Sequence, residues 1–284
     1  MGSFCIDFHR EFKLENALLA HNNAANFAQC RLSRSNTRRI RISKIYLSYR
    51  LAVPIFLIAG ILWDLIGIAD KKCKVPIGLC RAMWPIYLTN WNTLILAMNT
   101  SLAAMLVLKD QRADNMQVSC IEKFYWVLKN LSIGLSPLVS LMYWTLEYKP
   151  EVHPLDFSNV RDHILNTVIV LVDLLVCAHP IRLLHIYQPM LLGLVYPAFT
   201  AIYHYMFHGV NRNGKKYIYE TMDWGNPTKV LIVAAAAILF EGFVFFAMWF
   251  LYFNTKRCFV RDEQDEYEMT ETSDAAEGNT QIAV

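Results

Sequence analysis

Two sets of polar residues carry side chains that could do chemistry. Thr89, Asn92, Thr93, Asn99 and Thr100 share one face of a helix, and His163, Asn166 and Asp173 fall within one quadrant of another. Both sets sit in strongly apolar surroundings, where polar groups are expensive and turn toward a bundle interior or a wet cavity. A threonine hydroxyl is a weak nucleophile until a neighbouring base takes its proton, and an imidazole with a pKa of about 6.5 is the usual base. Thr89 as nucleophile and His163 as base would form such a pair. Asn92 or Asn166 could then donate to an oxyanion, and Asp173 could orient or acidify the pocket. The plain alternative is that Thr89 bonds back to its own helix and His163 meets water at an interface. From the residues by themselves, both stay open.

The elements that must position these residues are membrane helices. Of 284 residues, 55% are hydrophobic and 18% charged, against about a quarter charged in soluble domains; the mean hydropathy is +0.27. The apolar residues are bunched into six stretches, 46–69, 84–108, 124–146, 163–178, 187–207 and 229–253. A spanning helix needs roughly 20 such residues, so the fourth stretch must borrow from its flanks. Runs apolar on consecutive residues, such as Val230–Phe240, exclude the alternation of a barrel strand. The expectation is an all-α integral membrane protein, a bundle of about six transmembrane helices over 46–254. A basic arm, 1–45, precedes it, and an acidic, unstructured tail, 255–284, follows. Arg31, Arg34, Arg38, Arg39, Arg41, Lys44 and Arg50 place the N-terminus in the cytosol, and six crossings return the C-terminus there. Lys71, Lys72, Lys74 and Arg81 in the first outer loop pull against that orientation. No cleavable signal peptide is expected, because Asp7, His9, Arg10, Glu11 and Lys13 crowd the start and no apolar region follows them.

Cys73 and Cys80 bracket the first outer loop, where either a disulfide or two unpaired thiols would fit. Asp64 could pair with a loop lysine. Glu241, midway along the sixth helix, is either a pocket carboxyl or a protonated acid bonded to a neighbouring helix. Ser132, Ser136 and Ser140 recur every four residues, a spacing that lets helices approach closely. His204 and His208 share a helix face, but a membrane metal enzyme would need further histidine clusters, so no metal and no cofactor are expected. No Gly-rich phosphate loop, Gly-x-Ser-x-Gly elbow or His-Glu-x-x-His motif is present. The helices show no repeated half of the kind many transporters carry.

Three segments carry a family resemblance. Trp84-Pro-Ile-Tyr-Leu-Thr89-Asn-Trp91 resembles the second-helix motif of the rolling stone family of multi-pass membrane proteins. His163-Ile-Leu-Asn166-Thr, through Asp173 to Pro180-Ile-Arg182, resembles its fourth helix. Asn211-Arg-Asn-Gly214, Tyr217-Ile-Tyr219 and Met222-Asp-Trp224-Gly-Asn-Pro227 are similar to its outer loop. The likeness spans roughly 46–254. It implies a part in cell–cell, myoblast, fusion during muscle development. The family is similar in turn to the androgen-induced transmembrane threonine hydrolases, which cleave fatty acid esters of hydroxy fatty acids. Their nucleophile stands in a Leu-Thr motif at the head of the second helix, and their base heads the fourth, ten residues before an acidic residue. Leu88-Thr89, His163 and Asp173 match those positions, with Asp where the relatives usually have Glu, and Asn90 where they tend to be apolar. The partners so implied are the lipid bilayer, a lipid ester and membrane proteins, and no nucleic acid.

Overall fold

The computed structural model describes residues 44–67, 73–109, 119–150, 155–177, 179–207 and 209–280, with side chains as far as Thr255. The basic arm expected over 1–45 lies outside these residues apart from its last two. In chain order the elements are α1 (Lys44–Gly67), the short α2 (Ile77–Ala82), a 3-10 turn Trp84–Ile86 and α3 (Leu88–Lys109). Then come α4 (Cys120–Met142) running into a π turn, Tyr143–Glu147, and α5 (Phe157–Val160) passing through a π turn, Arg161–Leu165, into α6 (Asn166–Val176). After a 3-10 turn at Leu183–Ile186, α7 covers Tyr187–Phe207. A last 3-10 turn, Glu220–Met222, precedes α8 (Pro227–Thr280).

Four segments are long and apolar enough to cross a membrane: Lys44–Gly67, Leu88–Lys109, Leu183–Phe207 and Pro227–Thr255. They correspond to the first, second, fifth and sixth apolar stretches of the sequence. The other two fall short for separate reasons. α4 carries Glu122, Lys123 and Lys129 along its length. The fourth stretch is helical from Phe157 to Val176 only as a composite of two α segments around a π turn. Ser119 starts α4 as a capping box with Glu122, and Asp156 starts α5 by accepting from the Asn159 N–H at 2.8 Å.

The burial pattern is inverted relative to a water-soluble protein. Along α1, Ile55, Leu62, Trp63 and Ile66 are exposed while Arg50 and Asp64 are buried. On α8, Leu231, Ile232, Leu239 and Phe243 face outward and Glu241 is fully buried. A bare apolar surface around polar interior groups is what a hydrocarbon solvent selects. Within the bundle, Leu57, Leu96, Ile133, Val170, Phe245 and Trp249 form a shared core from α1, α3, α4, α6 and α8.

Two ionic clusters tie the helices together. At one end of the bundle, Asp173 of α6 pairs with both Arg50 of α1 and Lys129 of α4. All three are nearly sealed from solvent. Tyr46 accepts from Arg50 Nε at 2.8 Å. At the other end, Arg161 pairs with Asp64 and with Asp162 and donates to the Gly60 carbonyl at 3.0 Å. Asp64 therefore pairs with the start of the fourth stretch rather than with a loop lysine. A side chain at position 60 would place its Cβ 3.0 Å from Arg161 Cδ, which is why a glycine stands there. The α4 serines also do more than allow close approach. Ser136 donates to Asn92 Oδ1 at 2.7 Å, and Ser140 donates to the His163 carbonyl, so two of the three stitch α4 to α3 and to the fourth stretch.

Candidate functional site

The head of α3 is fixed by its own sequence. The first N–H groups of a helix have no partner within it. Here the Leu88 N–H donates to the Tyr219 hydroxyl at 3.1 Å. Asn90 reaches back to the Trp84 carbonyl at 2.5 Å and the Trp91 indole to the Pro85 carbonyl at 2.6 Å, so the 84–91 motif is a self-bracing helix start. The connecting segments add a second brace. Cys73 and Cys80 are joined, with Cα atoms 6.4 Å apart. The Lys74 N–H donates to the Arg212 carbonyl at 3.0 Å, and the Arg212 guanidinium lies 5.0 Å over the Tyr87 ring.

Beside this helix start is a cavity of about 90 Å³. It lies between the head of α3, α4 with its π turn, α7, α8 and the loop carrying Tyr219 to Met222. Leu135, Leu138, Val139, Met142, Leu192 and Ile238 make the lining mostly apolar. Polar groups are few: Thr89, Tyr143, Glu147, Tyr196, Tyr219, Thr221 and Glu241. The Thr89 hydroxyl hydrogen-bonds to the Tyr219 phenol. Burial pushes that phenol up to about 12, against the opposing pull of the Thr89 hydrogen bond. Tyr196 donates its own hydroxyl to the Ile86 carbonyl at 2.9 Å. Glu147 accepts from the Thr221 hydroxyl at 3.1 Å. Burial raises the Glu147 carboxyl above the usual carboxylate range; the Thr221 bond opposes that rise, Glu220 adds to it and Lys149 opposes it.

The residues singled out from sequence are placed in three groups. Thr89 is in the cavity wall. His163 stacks face to face on Tyr143, ring centres 3.4 Å apart, and Tyr143 is itself part of that wall. The π turns at 143–147 and 161–165 hold these two rings, and such turns recur at functional sites. The His163 carbonyl accepts from Ser140 and from the Trp144 indole at 3.4 Å. Asn166 donates to Thr93 Oγ1 at 3.0 Å and Asn92 accepts from Ser136, so both fasten helices and neither is among the cavity-lining residues. Asp173 is in the ionic cluster with Arg50 and Lys129. Thr93 Oγ1 in turn donates to the Thr89 carbonyl at 3.1 Å, so Thr93 links Asn166 to the α3 backbone, whereas Asp173 belongs to a different set of contacts. Of the paired histidines, His204 Nδ1 lies 3.0 Å from the Lys216 carbonyl, and His208 lies outside the described residues. Among the described residues no group of three His, Cys, Asp or Glu side chains is placed to hold a metal ion.

Sequence reasoning missed Tyr143, Tyr196, Tyr219 and Glu147. Tyr219 had a signal, since it stands in the Tyr217-Ile-Tyr219 motif, but nothing local tells that its phenol reaches the α3 head 131 residues earlier in the chain. Glu147 follows the third apolar stretch directly and looks like an ordinary interfacial acid.

A helical bundle with an apolar exterior, interior ion pairs and a cavity at the head of one helix defines the class: an all-α integral membrane protein. The family profile described as "Protein rolling stone" matches residues 1–267, so the match extends past the 46–254 segment that carries the resemblance. The chain belongs to the rolling stone family. It is similar to the protein named "Protein rolling stone" of Drosophila melanogaster, 27% identical over 272 residues that cover 91% of this chain and 93% of that one. No solved structure matches.

The Glu147 surroundings set a pH dependence. A carboxyl raised in the folded state favours folding below its unfolded pKa, and that advantage is lost as pH rises through the folded value. Melting of the detergent-solubilised protein from about pH 4 to about pH 8 should therefore show Glu147→Gln gaining on the wild type as pH rises. Parallel pH curves for the two proteins would contradict the burial assigned to this carboxyl.

Proposed function

We propose that this chain contributes to cell–cell fusion, myoblast fusion in muscle development, as a six-pass membrane protein with both termini in the cytosol. The observation that carries the proposal is its membership of the rolling stone family over almost the whole chain, together with a relative of matching length. The braced loop end supports it. The Cys73–Cys80 bond suits the oxidising side of a membrane. The Lys74–Arg212 and Arg212–Tyr87 contacts join two connecting segments into one fixed surface that a membrane protein on an apposed cell could meet. Cultured myoblasts that depend on the chain test this. The full-length protein should reach the plasma membrane and support multinucleate cells, and a Cys73→Ser, Cys80→Ser double variant delivered to the same surface should support several-fold fewer. Confinement to internal membranes would sink the fusion role.

A second activity is favoured by one specific observation: Thr89, the match to the threonine hydrolases, stands in the wall of an apolar cavity. In that account Thr89 is the nucleophile of a lipid ester hydrolase, and His163, behind Tyr143, is its base. The Tyr219 phenol, already bonded to Thr89, positions the hydroxyl. Labelling of membranes with a fluorophosphonate probe checks it. The wild type should label, and Thr89→Ala and His163→Ala should each lose the label. Well-folded wild type that does not react would exclude an activated threonine. The two roles are compatible, because a hydrolase could change the lipids of a membrane that is about to fuse.

A further inference from the structure

Glu241 is a wall residue whose chemistry neither role uses. It lies fourteen residues into α8, about 20 Å from the helix start at 1.5 Å per residue. Its residue surface is fully buried, yet neither carboxyl oxygen has a hydrogen-bond partner among the described residues. Buried polar atoms are satisfied in the great majority of cases, and one that is not needs an explanation, a bound group among them. The neighbouring backbone makes room for the carboxyl. A Cβ at Gly193 of α7 would stand 2.5 Å from Glu241 Oε2, and one at Gly134 of α4 would stand 3.8 Å from its Cγ. Gly193 and Glu241 are both among the residues of the cavity wall.

The rest of the lining says what kind of group would complement it. Two carboxyls, Glu147 and Glu241, face the cavity, and no Lys, Arg or His is among the lining residues. Glu147 is occupied by Thr221. Most of the remaining wall is aliphatic, from Leu135 and Leu192 to Ala237 and Ile238. A ligand carrying a carboxylate or phosphate there would find no cation to pair with. A ligand carrying a protonated amine would give Glu241 its missing hydrogen bonds and an opposite charge, in surroundings of low dielectric where that interaction is strong.

We propose that this cavity is a binding site for the head of a single-chain lipophilic amine, with the amine on Glu241, the first methylenes along the aliphatic walls and the rest of the chain outside the cavity. The site does not depend on Thr89 acting as a nucleophile, and it stands or falls separately from the fusion role. Its selectivity is for cationic over anionic amphiphiles of the same chain length. Glu241 is the residue that sets that selectivity, and Ala237 sets the space.

The test uses the full-length protein in phosphatidylcholine nanodiscs and two photoactivatable, clickable probes: a long-chain primary amine and the fatty acid of equal length. The amine should crosslink to peptides containing Leu192–Pro197 or Ala234–Glu241 about tenfold more than the acid does, the lower end for a hydrogen bond to a charged group. An excess of unlabelled long-chain amine should compete. Glu241→Gln should bring the two probes to similar labelling. Ala237→Phe, which keeps the carboxyl and fills the space, should reduce labelling by both. Melting curves of the variants confirm that they are folded. Equal labelling of the wild type by acid and amine would overturn the proposal. So would an unchanged amine preference in folded Glu241→Gln, or crosslinks confined to outward-facing residues such as Leu239 and Phe243.

Discussion

The pairing of Asp173 with Arg50 and Lys129 is the constraint on which the bundle most depends. Three charged groups from α1, α4 and α6 are withdrawn almost completely from solvent. Ions in such a place cost several kcal/mol each in lost hydration, and only close opposite charge and further hydrogen bonds offset that. Asp173 therefore fixes the rotation of three helices at once. A turn that took Asp173 out of the group would leave two buried cations facing each other, and one that moved Arg50 or Lys129 into lipid would strand that cation. Tyr46, stacked beside Arg50 and accepting from its Nε, completes one side of the arrangement.

Arg161 performs the same task at the other end of the bundle, and the cavity is built on this second cluster. Gly60, Asp64 and Asp162 hold Arg161 where the π turn begins, and that turn carries His163 against Tyr143. Ser140 then anchors the His163 carbonyl to α4. Tyr143 in turn walls the cavity alongside Thr89. Charge pairing at the periphery of the site thus positions aromatic rings, and the rings shape an apolar space that has few polar contacts of its own. This division suits a membrane protein: strong directional interactions set the helices, and apolar walls are left for lipid-like ligands.

Much of the architecture was legible in the residues. Four of the six apolar runs coincide with helices long and apolar enough to span, and Asn92, Thr93, Asn99 and Thr100 of the polar face lie in the interior. The limits were physical. Lys129 interrupts the third stretch and looks like a defect in a membrane span until Asp173 is placed opposite it. Asp64 and Arg161 are 97 residues apart, and no local spacing reveals that they meet. Asp173 was grouped with His163 and Asn166 because they share a helix quadrant. Helical spacing gives direction around an axis but says nothing about depth, and ten residues of depth take Asp173 to the other ionic cluster. Tyr219 lies on a connecting segment, where periodicity carries no information at all.

The account's central claim is that a buried cluster of opposite charges holds the helices in place, and a double-mutant cycle on Asp173 and Lys129 tests it most directly. Unfolding of the solubilised protein would be followed for the wild type, Asp173→Asn, Lys129→Met and the double variant. Removing the carboxylate strands two cations and should cost about 3–5 kcal/mol. Removing Lys129 as well leaves fewer stranded charges, so the double variant should recover part of that loss and be more stable than Asp173→Asn. If the two losses simply add, or if Asp173→Asn unfolds like the wild type, the three charges are not coupled and something else sets the packing of these helices.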